Sequence, residues 1–268
     1  MILAHYAARF GRSTDYHQVI EMSENVIYIF LLAIGASFVQ RTTGFGFGIF
    51  IMTALPFLMP SYEEAVTLSG ILSLTSSSIV MIRFIKYVSW KRMLPILATF
   101  FLTSTLAILM IEKIEGKTMR VILGIILVLI SFYFCFFKEK VQKIIRPTTR
   151  WQIGAGSISG IMGGLFGMQG PPVVLYLINS EPDKNHYMGM IQTYAVLTNV
   201  ILLAVRACNG YLTPVVGMTY IYSLGGLAIG VLAGKYAFQF LSNKIFTYIV
   251  YTYIGVSGLI ILLTTFGR

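Results

Sequence analysis

Two glycine-rich motifs interrupt apolar sequence at corresponding places in the two halves of the chain. The first covers residues 40–48 and has glycine at every second position from Gly44 to Gly48. The second covers residues 163–172 and ends in Pro171 and Pro172. Because glycine and proline end or restart helices, paired motifs of this kind are typical of transporters built from two repeats with discontinuous helices.

The surrounding composition is typical of a polytopic membrane protein. Of the 268 residues, 56% are hydrophobic and 11% are charged, and the mean hydropathy is +0.79. A spanning helix needs about 20 apolar residues, so the chain has room for about eight to ten passes and little else. We therefore predict an all-α membrane helix bundle, with no room for a soluble catalytic or binding domain.

The apolar segments fall into two sets of five. They are residues 26–40, 49–59, 65–82, 93–111 and 121–137, then 153–167, 173–180, 187–205, 215–234 and 245–265. The first two segments of each half are too short to cross a hydrocarbon core of about 30 Å. They are predicted to be half-helices or a re-entrant hairpin, packed inside the protein or lining a cavity.

This pattern divides the chain into four parts. They are a polar N-terminal tail at residues 1–24, a first membrane repeat at 25–137, a basic linker at 138–150 and a second membrane repeat at 151–268. The tail lacks the charged start, apolar centre and cleavage site of a signal peptide, and Met22 is an alternative start. Internal similarity supports a duplication, because Phe45-Gly46 aligns with Phe166-Gly167 at an offset of 121 residues.

Loop charges predict that the second repeat is inverted. The connection after the third segment contains only basic charges, whereas the equivalent connection in the second half contains Arg206 alone. The four basic residues of the first connection are Arg83, Lys86, Lys91 and Arg92. By the positive-inside rule the first connection is cytoplasmic and its counterpart is external. Both termini are then expected outside, in a plasma or inner membrane.

Several other functional classes find no support in the sequence. The net charge of +10 comes from basic residues in short loops, with no basic and aromatic nucleic-acid-binding module. Two cysteines without CxxC spacing and three scattered histidines give no metal site, so we predict no metal and no cofactor. The expected partners are a small-molecule anion and the lipid bilayer, and assembly into a homo-oligomer stays open.

The two motifs contain the residues suited to anion binding. A helix that starts at membrane depth has free backbone N–H groups and a partial positive charge, which an anion can satisfy. Glycine lets a ligand approach that backbone, and proline suits a first helical turn because it needs no acceptor. The predicted substrate-binding residues are Gln40, Arg41, Thr42, Thr43, Gly44, Gly46, Gly48, Gly167, Gln169, Gly170 and Pro171.

Arg41 has two competing interpretations. It is the one full charge between Val26 and Tyr62, and a charged residue inside a membrane segment is a candidate functional group. In the first interpretation its guanidinium pairs with the anion. Alternatively, its side chain snorkels to the lipid headgroups, because short helices end near the interface.

Further residues are predicted to line or pack the site. Gln192, Tyr194 and Asn199 are polar groups in the eighth segment and form a second tier of lining residues. Glycine recurs every fourth residue at positions 156, 160 and 164, and again at 226, 230 and 234, which predicts close helix packing. The acidic residues fall at segment ends, which favours an anion path over a cation path.

The motifs resemble the two signatures of a known family. Residues 38–48, followed by Leu55 and Pro56, and residues 159–172, continuing through 175–177, are similar to those of the TauE/SafE family of sulfite and organic-anion exporters. The resemblance spans roughly residues 29–263. It departs from the family pattern at Gln169, where many members have glycine, and in the first half, which has no double proline.

The resemblance implies a plasma-membrane carrier of small sulfur-containing or carboxylic anions. The hypothesis is thus a secondary transporter that moves sulfite, a sulfonate or a short carboxylate by alternating access. Two alternatives remain at this point. A passive anion channel shares all these features, and an intramembrane enzyme needs a nucleophile and a base at depth, with no histidine inside a confident segment.

Overall fold

The chain is built of helices, as predicted. A computed structural model describes residues 13–111, 114–137, 145–181, 183–240 and 243–266, and no strand occurs within these ranges. Part of the tail, most of the linker and the last two residues lie outside them. The helices are α1 (Ser13–Thr43), α2 (Phe47–Ile51), α3 (Leu55–Leu58), α4 (Tyr62–Phe84), α5 (Trp90–Ile111), α6 (Gly116–Phe136), α7 (Thr149–Phe166), α8 (Gly170–Ser180), α9 (Lys184–Cys208), α10 (Pro214–Phe240) and α11 (Asn243–Phe266).

Six helices of the described part are long and apolar enough to cross a membrane. They lie at Asn25–Thr43, Tyr62–Tyr87, Trp90–Met110, Gly116–Tyr133, Asn185–Cys208 and Pro214–Ala237. The prediction of a polytopic helix bundle is therefore confirmed. The prediction of a short first segment was wrong, because α1 has 31 residues and continues through Arg41 to Thr43. Gly44, not the polar residues before it, ends this helix.

Short helices follow both glycine motifs. After the first motif come α2 with 5 residues and α3 with 4, and after the second comes α8 with 11. A helix of 11 residues is about 16 Å long, about half of the hydrocarbon thickness. Buried residues such as Phe47, Leu55 and Val173 show that these pieces pack inside the protein, where interrupted backbone is tolerated.

Glycine stripes hold together two pairs of long helices. On α7 the stripe meets backbone and threonine side chains of α5, and on α10 it meets α1. A Cβ at any stripe position would come closer than 3.0 Å to the facing helix. The stripes are Gly156, Gly160 and Gly164 on α7, and Gly226, Gly230 and Gly234 on α10. The predicted packing role of these glycines is confirmed.

Each of these pairs joins one helix from each half, and its two helices run parallel. The stripe on α10 meets residues 30 to 41 of α1 in ascending order, and the stripe on α7 meets residues 96 to 107 of α5 in ascending order. Two other pairs are antiparallel. In the α4–α9 pair, Gly70 lies beside Asn199 and Phe84 beside Gly189. Helices α6 and α11 also pair in descending order, with Gly124 beside Leu262 and Ser131 beside Gly255.

Hydrogen bonds fix the direction of α1 relative to α4. Asn25 donates to the carbonyl of Leu58, just before α4, at 3.4 Å, and Gln40 donates to Ser77 near the other end of α4 at 2.7 Å. The two helices therefore run parallel.

The same relation holds between α7 and α9 in the second half. Tyr194 contacts Ser159 at 2.5 Å, and Arg206, further along α9, donates to the carbonyl of Gly164, further along α7, at 2.5 Å. Since α4 and α9 are antiparallel, α1 and α7 run in opposite directions. Inverted repeats remain a prediction, which this pattern of helix directions supports.

The helix ends revise the alignment of the halves. Helices α1 and α7 end 123 residues apart, at Thr43 and Phe166, and each is followed by a glycine of positive φ. Gly44 (φ 85°) is thus the structural counterpart of Gly167 (φ 68°), whereas the sequence alignment paired Gly46 with Gly167. The Phe-Gly pair misled that alignment because it recurs in the first motif.

The position of Arg206 differs from the expectation. The sequence analysis placed it in an external connection, but it lies inside the membrane-spanning part of α9 and is buried. The connection after α9, residues 209–213, consequently contains no basic residue. By the same helix bounds its counterpart after α4, residues 85–89, contains Lys86, and Lys91 and Arg92 lie in the first turn of α5, so the basic charges stay on the side of the α4–α5 connection.

Packing of α10 against α1 can be tested by adding a single methyl group to a glycine of the stripe. We expect Gly230→Ala to lower the thermal melting temperature of the purified protein, because its Cβ would overlap the Ile34 carbonyl and the Ser37 hydroxyl. Overpacking of this kind destabilises by about 1–3 kcal/mol. Gly217→Ala in the same helix is the control, since nothing lies within 4 Å of its Cβ position. Equal melting temperatures for the two variants would contradict close packing at Gly230.

Orientation can be tested by cysteine labelling. In a Cys135→Ser background, a membrane-impermeant maleimide should label the exposed Cys208 on intact cells. In a Cys135→Ser, Cys208→Ser background, a cysteine replacing the exposed Lys91 should be labelled only after the membrane is permeabilised. The reverse pattern would show that the end of α9 faces the cytoplasm.

Candidate functional site

The two glycine motifs meet at a small cavity between the halves of the protein. Its volume is about 30 Å³. The loops touch directly: a Cβ on Gly48 would overlap the carbonyl oxygen of Gly167, and one on Gly170 would lie 3.5 Å from Phe45. The lining residues are Gln40, Gly44, Phe45, Gly46, Phe47, Gly48, Ile49, Ser73, Gly167, Met168, Gln169, Gly170, Ile191, Tyr194 and Ala195.

Glycine shapes both loops through its backbone conformation. Gly44, Gly46 and Gly167 have positive φ, which residues with a Cβ rarely adopt. The N–H of Gly44 bonds to the carbonyl of Gln40 at 2.8 Å, and that of Gly167 bonds to Gly163 at 3.1 Å, which closes α1 and α7. The chain then turns and starts a new helix beside the cavity.

Two helix starts therefore face the same cavity. Phe47 and Gly48 begin α2, Gly170 begins α8, and all three are lining residues. The first N–H groups of a helix have no acceptor within that helix. In α8 the next position is Pro171, which has no N–H to satisfy, and 11 residues give this helix a dipole that the five-residue α2 largely lacks.

The polar lining is uncharged and hydrogen-bonded to a surrounding network. Gln169 donates to Asn199 at 3.0 Å, and Asn199 donates to Ser73 at 3.2 Å. Ser159 donates to the carbonyl of Gln169, which leaves Tyr194 as the donor to Ser159. No carboxylate, ammonium or guanidinium group belongs to the lining. An anion there meets amide and hydroxyl groups without a competing carboxylate.

The predicted site residues divide into two groups. Those that line the cavity are Gln40, Gly44, Gly46, Gly48, Gly167, Gln169, Gly170 and Tyr194. Those that lie behind it are Arg41, Thr42, Thr43, Pro171, Gln192 and Asn199. Of the second group, Asn199 orients Gln169, and Gln192 donates to the carbonyl of Gly44 at 2.8 Å.

Arg41 is not brought to the cavity. Its Cβ and Cγ pack against Gly234 of α10, and its guanidinium lies within electrostatic range of Arg83. Thr42 and Thr43 bond to carbonyl oxygens of their own helix, and Thr43 also donates to Phe45 at 2.6 Å. These two threonines hold the end of α1. A direct role of any of the three in binding stays a prediction.

Serines of α4 and α7 are the site residues that the sequence analysis missed. Ser73 lines the cavity, Ser77 accepts from Gln40, and Ser159 links Tyr194 to the second motif. A signal was present, because Ser69, Ser73 and Ser77 recur every fourth residue and therefore share one helix face. Hydroxyls in membrane helices also serve ordinary packing, so the spacing alone did not single them out.

A second, larger cavity lies away from both motifs. It has a volume of about 610 Å³ and lies between the α2–α3 region, the start of α6 and the end of α11. Phe57, Lys117, Arg120 and Tyr253 are among its lining residues. Because no motif residue reaches it, its size alone does not make it the transport site.

The central cavity is too small for an oxyanion in the present conformation. An ordered water needs about 10–15 Å³ of such volume, so about 30 Å³ holds one or two water molecules. The end of α8 is also fixed, because Arg92 of α5 contacts the buried Glu181 at 2.6 Å and the Ser180 carbonyl at 2.9 Å. Transport of any solute through this site requires the surrounding helices to move.

Asp183, which lies near the end of α8, caps the start of α9. Its carboxylate accepts the backbone N–H groups of His186 and Asn185, both at 2.9 Å. The hydrogen bond from the His186 backbone is the main cause that lowers the pKa of this exposed carboxyl. Asp183 thus stabilises the helix start and is not placed to exchange protons near neutral pH.

The comparison with protein families agrees with the motifs. A family model described as Sulfite exporter TauE/SafE matches residues 29–261, a range that contains both glycine motifs and the cavity between them. Comparisons with curated proteins and with solved structures gave no match. The chain belongs to the TauE/SafE sulfite exporter family and is a multi-pass membrane transporter.

Proposed function

We propose that this protein is a secondary transporter of a small anion, which it binds in the central cavity. The observation that supports the proposal is the meeting of the α2 and α8 starts at one uncharged, buried site. Backbone N–H groups there have no acceptor in their helices, and the dipole of α8 favours negative charge. The amide nitrogens of Gln40 and Gln169 each donate one hydrogen bond, to Ser77 and to Asn199, and each has a second N–H that can donate to an oxyanion.

The proposed substrates are sulfite, a sulfonate or a short carboxylate. The family name supports sulfite as the first probe. The size of the cavity supports a small substrate. An anion of a few heavy atoms exceeds the present volume only slightly, so a small movement of the surrounding helices is enough to admit it. A planar or pyramidal group of oxygens matches donors that converge from two loops. We place the protein in the plasma or inner membrane.

Alternating access is the proposed mechanism. Helices α1 and α4 are joined by the bond from Gln40 to Ser77, and α10 is tied to α4 through Tyr220 and Thr75, whose hydroxyls lie 3.0 Å apart. Helices α7, α8 and α9 form a corresponding group through bonds such as Gln169 to Asn199. Relative movement of the two groups would open the cavity on one side at a time.

A passive anion channel is the alternative that shares this cavity. The contact between Gly48 and the carbonyl of Gly167 favours a carrier, because the two loops meet at the cavity and have to separate before a solute passes between them. Counterflow separates the two: a carrier loaded with unlabelled sulfite accumulates labelled sulfite transiently and saturates, whereas a channel only equilibrates it.

Transport of sulfite into proteoliposomes tests the proposed site. We expect saturable counterflow for the wild type and about a tenfold loss for Gln40→Leu, because a hydrogen bond to a charged ligand is removed. Ser78→Ala is the matched control, since the Ser78 hydroxyl on α4 bonds to its own helix at Leu74 and Ser78 does not line the cavity. Arg41→Lys should transport at a rate close to the wild type. Loss in Arg41→Lys with normal flux in Gln40→Leu would move the binding site to Arg41.

The start of α8 offers a second test. Gly170→Val should reduce sulfite binding in calorimetry, because the larger side chain would fill the cavity beside the free backbone N–H groups. Its backbone φ is not positive and its Cβ position has only ordinary contacts, so the variant should still fold. Gly154→Val on α7, where nothing lies within 4 Å, is the control. Normal binding by Gly170→Val would show that the helix start is not an anion contact.

A further inference from the structure

Three buried polar groups without hydrogen-bond partners lie between the cavity and the end of α9. They are the Tyr62 hydroxyl, the Ser69 hydroxyl and one guanidinium nitrogen, Nη1, of Arg206. The three residues are 2%, 0% and 1% exposed, respectively. Buried polar groups are nearly always paired, so unpaired ones indicate a ligand or a functional state that pairs them. Other buried groups of the described residues are unpaired too, among them the amide oxygens of Gln40 and Gln192. Those oxygens can only accept, whereas the hydroxyls of Tyr62 and Ser69 and the guanidinium of Arg206 can donate to an anion.

Arg206 is the most unusual of the three. It lies within a membrane-spanning helix, and its Nη2 donates to the carbonyl of Gly164. In the described part of the chain the ion pairs join Arg92 to Glu181 and Asp183 to His186, so Arg206 belongs to none. The carboxylate of Glu63 lies within electrostatic range of Arg206 but forms no ion pair with it. A buried guanidinium without a directly paired anion is energetically costly, which makes an anion its natural complement.

Two of the three groups, on Tyr62 and Ser69, belong to a mostly polar stripe on α4, and Arg206 of α9 lies within electrostatic range of Tyr62. Tyr62, Val66, Ser69, Ser73 and Ser77 recur at intervals of three or four residues and therefore share one helix face. Ser77 holds Gln40 and Ser73 lines the cavity. Ser69 and Val66 lie next to Gly167, and Tyr62 interacts electrostatically with Arg206. The stripe thus runs from the cavity to the end of the protein that lacks basic connections.

Equivalent positions in the two halves differ in their hydrogen bonding. With the 123-residue register, Ser69 corresponds to Gln192, and Gly167 corresponds to Gly44. Gln192 donates to the Gly44 carbonyl at 2.8 Å, which ties the two groups of helices together on the side of the basic connections. Ser69 faces Gly167 without making the corresponding bond. At these equivalent positions the two groups of helices are hydrogen-bonded on the side of the basic connections and not on the side of Arg206.

We propose that Ser69, Tyr62 and Arg206 form the external half of the anion path, with Arg206 as a transient anion contact between the cavity and the outside. This inference rests on the proposed function. An anion leaving the cavity passes Ser69 and Tyr62, whose hydroxyls donate to it, and then meets the unpaired Nη1 of Arg206. Because these groups contact the anion only in transit, they affect the rate of transport and not the affinity of the central site.

The unpaired hydroxyls give probes that separate function from stability. Ser69→Ala and Tyr62→Phe remove hydroxyls that have no partner, so neither variant should melt below the wild type. We expect each to lower sulfite counterflow about tenfold. Sulfite binding by the purified protein should stay within about twofold of the wild type. Thr67→Val is the control, because the Thr67 hydroxyl is buried on α4 but bonds to its own helix at Glu63.

Arg206→Lys tests the charged contact. The lysine keeps the charge and can still donate to the Gly164 carbonyl, but it lacks the second guanidinium nitrogen. We expect a melting temperature near that of the wild type with counterflow about tenfold lower. Wild-type counterflow in Arg206→Lys would show that Arg206 only supports the end of α7.

The outcomes distinguish this inference from the proposed function. If wild-type protein shows sulfite counterflow and Ser69→Ala and Tyr62→Phe match its rate, the external path is overturned and the transporter assignment stands. If the wild type shows neither sulfite binding nor counterflow, the proposed sulfite transport fails first and this inference falls with it. Reduced binding in Ser69→Ala would instead place Ser69 in the central site and overturn its role as a path residue.

Discussion

The fold depends on how backbone groups are satisfied where helices break inside a membrane. Lipid offers no hydrogen-bond partners, so each break has to be enclosed by protein or to line a cavity. Here the break after α1 and the break after α7 meet, with Gly48 against the carbonyl of Gly167. Each loop covers the other. The same contact that protects the unpaired backbone also brings two helix starts to one cavity.

Close helix packing makes this arrangement possible. Lipid tails are as apolar as leucine, so helices in a membrane associate through tight contact and hydrogen bonds more than through the hydrophobic effect. Glycine stripes on α7 and α10 supply that contact, and both stripes belong to the second half of the chain. The first half contributes the facing helices, α5 and α1. The two halves therefore have complementary packing surfaces, although the order of long and short helices is the same in both.

Much of the fold was predictable, because it follows from length and composition. A spanning helix needs a long apolar segment, and the short segment at residues 173–180 correctly indicated the half-helix α8. The segment at 26–40 was misjudged because polar residues were taken as its end. Arg41, Thr42 and Thr43 continue the helix, since threonine hydroxyls bond to carbonyls of their own turn and only Gly44 leaves the helical conformation.

The site was less predictable, because burial of a charge depends on tertiary packing. Arg41 stands next to the first motif in sequence, yet it packs on α10 and leaves the cavity uncharged. Arg206 stands near a predicted connection, yet it is one of the most deeply buried side chains. Sequence position identified the loops that form the cavity, while the neighbours of each arginine come from other helices, Gly234 for Arg41 and Gly164 for Arg206.

The two sides of the cavity differ in hydrogen bonding in the present conformation. On the side of the basic connections, Gln192 bonds to the end of α1, and Arg92 holds the end of α8 through Glu181. On the other side, Ser69 and Arg206 have unused hydrogen-bonding capacity. A ligand shifts a conformational equilibrium only by binding one state better than the other. An anion to which Ser69 and Arg206 donate would stabilise a state open on their side. The unpaired amide oxygens of Gln40 and Gln192 can only accept, so they offer an anion no such contact.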